Sequence, residues 1–411
     1  MKGIYEKLPR VAPALLAIIV DYAGFGFVYP LVTAIFGDAG IFGHVLARHF
    51  YQGLAYLLYP LFMFFGASML GDLSDKYGRK RILLLALGGI FICYLLMGFS
   101  LVVPSLSLFL VMRALSGLFA GCQPLAQAAV ADISTHEDKK WNMALITLAN
   151  NIGLIFGPLV VGFFTLSFFL EKGGYIYAFL FIALVTLIAF IWLFRVFNET
   201  YTTRSEKKIG FFRPVIIFVD AFRDRHLRPL VIILFCFQLS VAIFYQILAI
   251  YLASTYEFSS SELGFFYGFI GVFFILGVVA IYPFMLHRMT LPRLILYGFF
   301  GEGIMMFLAG AIPNLFFIFL FSALFAIFNI FAWTGFLSYY SERVDKDRQG
   351  WAMGVFTSMV AVGFMLAGWT TNLLPWAGAR SQVTVSGLIS VVTGFLFLFY
   401  HLTTGRDQIS K

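Results

Sequence analysis

Three ionisable residues lie deep inside long apolar runs of this sequence. Asp21 lies in the run that follows Arg10, Arg113 in the run that follows Pro104, and Glu302 in the stretch LYGFFGEGIMMFLAGA at 296–311. At the rise of an α-helix, each lies roughly 13–16 Å from the nearest end of its run. An unpaired charge at mid-membrane costs at least ~2.5–3.5 kcal/mol. These three residues therefore predict partners, a proton site or a water-filled pathway.

The apolar runs that carry these charges make up most of the chain. Of its 411 residues 61% are hydrophobic and only 12% are charged, which is too little charge to cover the surface of a soluble domain. A helix of about 20 apolar residues crosses the hydrocarbon layer. The sequence predicts an all-α membrane protein with twelve transmembrane helices. We place the spans at 11–36, 50–71, 82–102, 105–131, 141–169, 174–197, 229–253, 262–286, 291–312, 314–340, 350–373 and 381–402.

A hydrophilic segment divides the spans into two sets of six. We predict an amino-terminal half at 1–197, a cytoplasmic central linker at 198–228 and a carboxy-terminal half at 229–411. The FFRPVIIFVDAF part of the linker predicts an amphipathic helix on the membrane surface. A shift of 210 residues aligns Gly153 with Gly363 and also matches several other positions. Parallel six-helix repeats are typical of secondary transporters.

The distribution of basic residues predicts the topology. If the odd-to-even connections face outward, only Arg48, Lys172 and Arg380 lie outside. Lys and Arg concentrate in cytoplasmic loops of membrane proteins. We therefore expect a multi-pass protein with both termini in the cytoplasm, in a bacterial inner (cell) membrane.

The connection between spans 2 and 3 reads GDLSDKYGRKRILL and fits the pattern G-x-L-x-D-[RK]-x-G-[RK]-[RK]. On this motif the chain resembles the major facilitator superfamily, a resemblance that implies two six-helix halves working by alternating access. The alternative interpretation is that this segment is an ordinary basic cytoplasmic turn. The matching positions are Gly71, Leu73, Asp75, Lys76, Gly78, Arg79 and Lys80.

Within this motif each residue type has a physical role. Gly71 would let two helices approach closely, and Gly78 would permit a tight turn. Asp75 could bond to a helix amino terminus or pair with Arg79. We predict that this motif, with Lys80, latches the cytoplasmic gate shut in the outward-facing state.

Three further stretches resemble the drug:proton antiporters, and most closely the tetracycline efflux branch. They are DYAGFGFVYP in span 1, Arg113 and Gly117 in span 4, and NIGLIFGPLVVG in span 5. The last contains Gly153, Gly157 and Pro158, which would serve gating. The alternative, compatible with a gating role, is a close-packing face with a proline kink.

The resemblance places spans 1 and 4 side by side, so Asp21 and Arg113 could meet. They would form either a structural ion pair or a proton site whose charged state Arg113 controls. For Glu302 two alternatives stay open. Its carboxyl could be protonated and hydrogen-bonded to a neighbouring helix, or it could be a second proton or cation site.

The resemblance also implies that spans 1, 4, 7 and 10 line the transport cavity. Their polar and aromatic residues are then candidates for substrate binding, although each could instead form an interhelical hydrogen bond. A cavity with few charges suits an amphipathic or weakly cationic compound better than a sugar phosphate. The candidates are Gln123, Gln127, Gln238, Tyr245, Gln246, Asn329 and Trp333.

Several function classes find no support in the sequence. It has no G-x-x-x-x-G-K-[ST] phosphate loop, no clustered metal ligands, no nucleophile with a base and no basic stripe for nucleic acid. We expect no enzyme activity, no cofactor beyond a coupling proton, and a monomer in the lipid bilayer with a small-molecule substrate. The preferred function is proton-coupled export of that compound. The alternatives are proton-coupled uptake of a nutrient or metal-chelating molecule, and a non-transporting receptor.

Overall fold

The structure, a computed structural model, describes residues 2–37, 40–133, 139–166, 173–200, 210, 212–225, 227–344 and 349–409. Within these ranges the regular structure is helical. The first part of the chain contains α1 (Lys2–Gly26), α2 (Val28–Ile35), α3 (Arg48–Tyr77), α4 (Arg79–Val102), α5 (Leu106–Phe119), α6 (Cys122–Ile133), α7 (Lys139–Phe164) and α8 (Gly174–Val196).

The first of the remaining helices, α9 (Arg213–Arg223), lies within the predicted linker. The others are α10 (Arg228–Tyr256), α11 (Ser260–Leu276), α12 (Tyr282–Leu286), α13 (Leu291–Ala311), α14 (Leu315–Ser341), α15 (Gln349–Thr370) and α16 (Leu374–Ile409). The short helix α9 lies within the segment for which the sequence predicts an amphipathic helix.

Two predicted spans are interrupted four residues before a proline. Span 1 breaks between α1 and α2, where Gly26 stands four residues before Pro30. Span 4 breaks at Ala120, four residues before Pro124, where the backbone turns extended (ψ 93°). A proline ring clashes with the carbonyl four residues earlier and supplies no N–H, so the helix is interrupted there. The sequence predicts each of these spans as one helix, and the structure divides both.

The described chain contains eleven helical segments that are long and apolar enough to cross a membrane. The last of them, Gly354–Thr403, has 50 residues, and a helix of that length would measure about 75 Å. It is interrupted by a 3₁₀ turn at Thr371–Leu373 and by Gly378 at φ 69°. The segment therefore holds two crossing helices, α15 and α16. This makes twelve spans and confirms the predicted fold class.

The helices form two compact units, one of residues 1–213 with 258–268 and one of residues 214–257 with 269–411. In the first unit α1 packs on α7, α4 on α8, and α3 on α5. In the second unit α13 packs on α14 and α16, and α10 packs on α15 and α16. The boundaries predicted for the two halves and the linker stay a prediction.

Glycines let α7 approach α1 closely. A Cβ atom at Gly157 would lie 2.0 Å from the Ala23 carbonyl oxygen, and one at Gly153 would lie 2.5 Å from the Ile19 carbonyl oxygen. A Cβ atom at Gly26 would lie 3.0 Å from Cδ of the Pro158 ring in the same contact. These residues form the close-packing face that their spacing predicts, and it holds the helix that carries Asp21.

Candidate functional site

Asp21 lies on α1 and points at the start of α6. Its side chain is buried, with 6% exposure. The carboxylate accepts hydrogen bonds from the backbone N–H groups of Cys122 and Gln123 and from the Tyr59 hydroxyl. The first N–H groups of a helix have no partner within the helix and carry its positive dipole end. The interruption of span 4 thus creates a helix start that the Asp21 carboxylate caps.

The predicted substrate residues on α6 have different environments. The Gln123 side-chain oxygen accepts a hydrogen bond from the Tyr22 hydroxyl at 2.7 Å. Gln127 is exposed and takes no part in this cluster. Gln123 therefore belongs with Asp21, whereas Gln127 does not.

Arg113 lies on α5 and is 3% exposed. Its Nε donates to the Ala55 carbonyl oxygen at 3.3 Å, and its guanidinium carbon lies 4.3 Å from the centre of the Tyr59 ring. Its Nη1 is buried without a hydrogen-bond partner among the described residues. Arg113 is a buried cation with incomplete hydrogen bonding.

The possible contact between Asp21 and Arg113 is not formed. Among the described residues no ion pair joins the two side chains, and both contact Tyr59 instead. The hydroxyl of Tyr59 bonds to Asp21, while the face of its ring carries the Arg113 guanidinium. Tyr59 therefore bridges Asp21 and Arg113 in place of a direct ion pair, and we call these three side chains the relay.

The tyrosines near Asp21 and Arg113 are not among the site residues that the sequence analysis predicts. Besides Tyr59, the phenols of Tyr29, Tyr56 and Tyr94 lie within electrostatic range of Arg113. Gly24 leaves room for one of them, since a Cβ atom there would lie 1.5 Å from the Tyr94 hydroxyl. Tyr56 and Tyr59 are three residues apart on α3 and share a face. That spacing in span 2 is a signal that could have revealed them.

Glu302 lies on α13 and is fully buried. Its Oε2 accepts a hydrogen bond from the Asn329 amide at 2.9 Å, and its Oε1 lies 2.6 Å from the Ser390 hydroxyl. A Cβ atom at Gly301 would lie 2.4 Å from the Phe328 ring, and one at Gly303 would lie 2.8 Å from the Val391 nitrogen. Neighbouring helices fill the space that these glycines leave. Asn329 bonds to Glu302 and is not free for a substrate.

The other predicted substrate residues of the second unit divide into two groups. Gln246 donates to the Phe364 carbonyl oxygen at 3.0 Å, which is an interhelical hydrogen bond. Tyr245 packs against the rings of Phe274 and Phe325. By contrast, the amide of Gln238 is fully buried, and neither its nitrogen nor its oxygen has a hydrogen-bond partner among the described residues.

Trp333 is the remaining candidate. Its indole is partly exposed and makes an edge contact with the Phe356 ring at 5.0 Å between centroids. Among the described residues of this unit, both polar atoms of the Gln238 amide and the side-chain oxygen of Gln246 are buried without a hydrogen-bond partner.

The predicted cytoplasmic latch is partly assembled in the first unit. The Arg79 guanidinium forms ion pairs with Asp75 at 2.6 Å and with Asp132 at 3.3 Å. Gly78 adopts φ 103° and makes the tight turn. Of the two roles expected for Asp75, the structure shows the pairing with Arg79.

The start of α4 is capped by Glu199. Its carboxylate accepts the backbone N–H groups of Arg79 at 2.7 Å and of Lys80 at 3.2 Å. The expected close approach at Gly71 is not made by any described residue, because a Cβ atom there would meet none of them within 4 Å. Sequence analysis missed Glu199, which lies 120 residues from Arg79.

Comparison with known proteins identifies the family. The family model described as Major Facilitator Superfamily matches residues 11–368. The chain is 30% identical over 196 residues to the class B tetracycline resistance protein of Escherichia coli, a stretch covering 47% of this chain and 45% of that protein. It is 28% identical over 201 residues to the multidrug resistance protein MdtG of Salmonella paratyphi A, covering 49% and 48%. The chain spans about half the length of the curated relatives it matches.

Solved structures show the same fold at lower identity. The human organic anion transporter MFSD10 superposes with a TM-score of 0.73 at 20% identity, over 95% of this chain and 99% of that one. The xylose transporter XylE of E. coli, in a partially occluded inward-open conformation, gives a TM-score of 0.75 at 15% identity, over 96% and 97%.

The relatives confirm the predicted resemblance to the drug:proton antiporter branch. Members of the matched family are membrane transporters and not enzymes. With many apolar helices, this chain is an integral multi-pass membrane protein. It belongs to the major facilitator superfamily.

Proposed function

We propose that this protein exports a small amphipathic compound from the cytoplasm in exchange for protons. The observation that carries the proposal is the environment of Asp21, a buried carboxyl held by donors from two other helices, α3 and α6. A proton on this carboxyl changes what the side chain can bond, because a protonated acid is a donor as well as an acceptor.

Protonation of Asp21 would weaken the contact between α1 and α6. An ionised carboxylate is attracted to the positive end of α6, whereas a neutral acid is not. Binding of a proton therefore favours a conformation in which the two helices separate, and release of the proton favours the conformation seen here. Arg113 acts on Asp21 through the Tyr59 that both contact. This provides the link between proton exchange and movement of the helices that antiport requires.

The cytoplasmic latch, formed by Arg79 with Asp75 and Asp132, would control opening of the cytoplasmic side of the first unit. Arg79 holds Asp75 and Asp132 together, so the ends of α3 and α6 are tied at the start of α4. We propose that this contact breaks when the cytoplasmic side opens. Gly153, Gly157 and Pro158 then serve as the surface on which α7 moves against α1.

Export is supported by the relatives, which are tetracycline and multidrug resistance proteins. The aromatic residues around Arg113 suit a compound with an apolar body. Proton-coupled uptake is the second candidate, because the same fold occurs in a D-xylose–proton symporter. Both candidates use Asp21 as the proton site, and they differ in whether the substrate travels against the proton or with it.

Inside-out membrane vesicles with an acid lumen test the direction. Lipophilic cations, dyes and tetracycline are offered outside, and their accumulation is measured with and without the pH gradient. Accumulation that needs the gradient and disappears in Asp21→Asn supports exchange. Asp220→Asn is the matched control, since it removes a half-exposed carboxyl of α9. Proton-driven uptake in right-side-out vesicles, with no accumulation in the inverted ones, would replace the exporter by the importer.

A further inference from the structure

The guanidinium of Arg113 is a buried cation that forms no ion pair with a carboxylate of the described residues. Its Nε donates a hydrogen bond to the Ala55 carbonyl oxygen. Its Nη1 has no partner among the described residues, and the whole side chain is 3% exposed. A charged donor that is buried and unbonded is one of the costlier arrangements in a protein interior. Such a group is stabilised when an acceptor binds to it.

The neighbouring acid does not supply that acceptor. The Asp21 carboxylate already accepts two backbone N–H groups and the Tyr59 hydroxyl, which leaves about one of its four acceptor positions. The Tyr59 ring stabilises the positive charge of Arg113 from its face. A ring face, however, accepts no in-plane N–H bond from the edge of a guanidinium. The hydrogen-bonding capacity of Nη1 is therefore left unused by the described part of the chain.

The surroundings of Arg113 indicate the rest of the ligand. Tyr29, Tyr56 and Tyr94 lie within electrostatic range of the guanidinium. The rings of Tyr29 and Tyr56 stack at 6.2 Å between centroids. Binding sites for amphipathic molecules combine aromatic side chains with a few oriented polar groups. A flat apolar body with one anionic oxygen group matches this combination.

We propose that Arg113 is the receptor for an anionic oxygen group, such as a carboxylate, on the transported compound. The compound is then an aromatic organic anion or a zwitterion, and not a simple cation. This inference rests on the proposed transport function for its meaning in the cell, but not on the direction of transport. It replaces the weakly cationic substrate that the scarcity of charges suggests.

The two substrate classes differ in how they couple to Asp21. A carboxylate on Arg113 and a proton on Asp21 do not repel, so a simple anion can bind together with the proton, as uptake requires. A zwitterion brings a cationic group as well, and near Asp21 that group competes with the proton. The exporter therefore requires the zwitterion, whereas the importer is served by the simple anion. The anionic oxygen on Arg113 is common to both.

Four naphthalene probes separate the charges on one apolar body. They are 1-naphthoate, methyl 1-naphthoate, 1-naphthylalanine and 1-naphthylmethylammonium, and binding to the purified full chain in lipid nanodiscs is measured by calorimetry. We expect naphthoate to bind roughly ten- to a hundred-fold more tightly than its ester, as for a charge-assisted hydrogen bond. The preference should vanish in Arg113→Gln and weaken in Arg113→Lys, which keeps the charge but loses the fork of donors.

Arg380→Gln is the matched control. The Arg380 side chain donates to the Gly310 and Ala311 carbonyl oxygens at 2.8 Å each, so its loss should leave the naphthoate preference intact. If Arg113→Gln does not fold, Arg113→Lys still decides the question. The proposal is overturned if the ester or the ammonium binds as tightly as naphthoate, or if folded Arg113 variants keep the preference.

Asp21→Asn then separates the two substrate classes. A zwitterion that uses Asp21 should lose affinity in this variant, so naphthylalanine should weaken while naphthoate does not. Loss of naphthylalanine binding supports the zwitterion, and its retention supports the simple anion. These measurements use no gradient, so a failure of the transport proposal in vesicles would leave the binding result standing, and the reverse holds too.

Discussion

The two buried carboxyls, Asp21 in the first unit and Glu302 in the second, look alike in the sequence and differ in their surroundings. Asp21, on span 1, lies against the interruption in span 4 and accepts hydrogen bonds from backbone N–H groups at the start of α6. Glu302 lies between three packed helices and is held by the side chains of Asn329 and Ser390. Helix-start N–H groups favour a negative charge, whereas neutral side chains serve a neutral acid equally well.

The hydroxyl of Ser390 sharpens the difference. Its oxygen lies 3.1 Å from the Phe299 carbonyl oxygen and 2.6 Å from Glu302 Oε1, but it carries one hydrogen. If Glu302 is protonated, it donates to Ser390, and Ser390 donates to Phe299, so each group has a partner. This favours the structural interpretation of Glu302 over a second proton site. A charge within a span is therefore a weaker guide to function than the donors that surround it.

The largest expected effect is on transport, and it distinguishes Asp21 from Glu302. We expect Asp21→Asn to lose all gradient-dependent transport, because an amide cannot exchange a proton. Glu302→Gln should keep transport, because an amide can replace a neutral acid between Ser390 and Asn329. Flux in inverted vesicles measures both. Loss of transport in folded Glu302→Gln would restore Glu302 as a proton-coupling residue.

Truncation of Glu302 should reveal its structural role. Glu302→Ala leaves a cavity and removes the partner of Asn329, so we expect a loss of about 2–5 kcal/mol in the free energy of unfolding. Glu302→Gln should lose less than about 1.5 kcal/mol. Denaturant unfolding in detergent, followed by tryptophan fluorescence, compares the two. Equal losses would show that the hydrogen bonds to Glu302 contribute little.

Close packing of the supporting helices gives a smaller effect on stability. Gly157→Ala places a Cβ atom against the Ala23 carbonyl beside Asp21, and Gly303→Ala places one against α16 beside Glu302. Each should cost about 1–3 kcal/mol, but only Gly157→Ala should also slow transport. Gly88→Ala is the control, because a Cβ atom there would make only an ordinary van der Waals contact, at 3.6 Å from the Phe190 ring. Equal transport defects in both variants would remove the distinction between the units.

Single hydroxyl deletions should have the smallest effects. Tyr59→Phe keeps the ring under Arg113 but removes one donor to Asp21, and Ser390→Ala removes one partner of Glu302. Each should cost about 1 kcal/mol of stability. Transport should change several-fold in Tyr59→Phe and stay unchanged in Ser390→Ala. An unaltered transport rate in Tyr59→Phe would exclude Tyr59 from the relay.

The sequence predicts the membrane fold well, because span length and hydropathy are local properties. It also identifies Asp21, Arg113 and Glu302 as buried, and the loop motif as a turn with an Arg79–Asp75 pair. The interruptions before Pro30 and Pro124 were within reach, since the clash of a proline ring is also local. For span 4 the sequence analysis predicts one continuous helix, and the new helix start after Ala120 is found only in the structure.

What the sequence could not supply are partners from distant parts of the chain. Ser390 lies 88 residues from Glu302, and no periodicity brings them together. Tyr59 separates Asp21 from Arg113 because three helices pack in a particular rotation, which hydropathy does not specify. Gly71 fits the family motif, yet the structure places no neighbour against it. Side-chain partners across helices depend on how the helices pack, and the packing cannot be predicted from the sequence of any single segment.

The backbone donors at Asp21 have a consequence for how this transporter can adapt. A side chain that binds a carboxylate can be lost by mutation, whereas the N–H groups of Cys122 and Gln123 remain whatever residues other than proline stand there. Substitutions of side chains on α6 can thus occur without removing the hydrogen bonds to Asp21. Under the proposed mechanism the proton-coupling step would be inherited unchanged while specificity changes, so one scaffold could diversify by few substitutions.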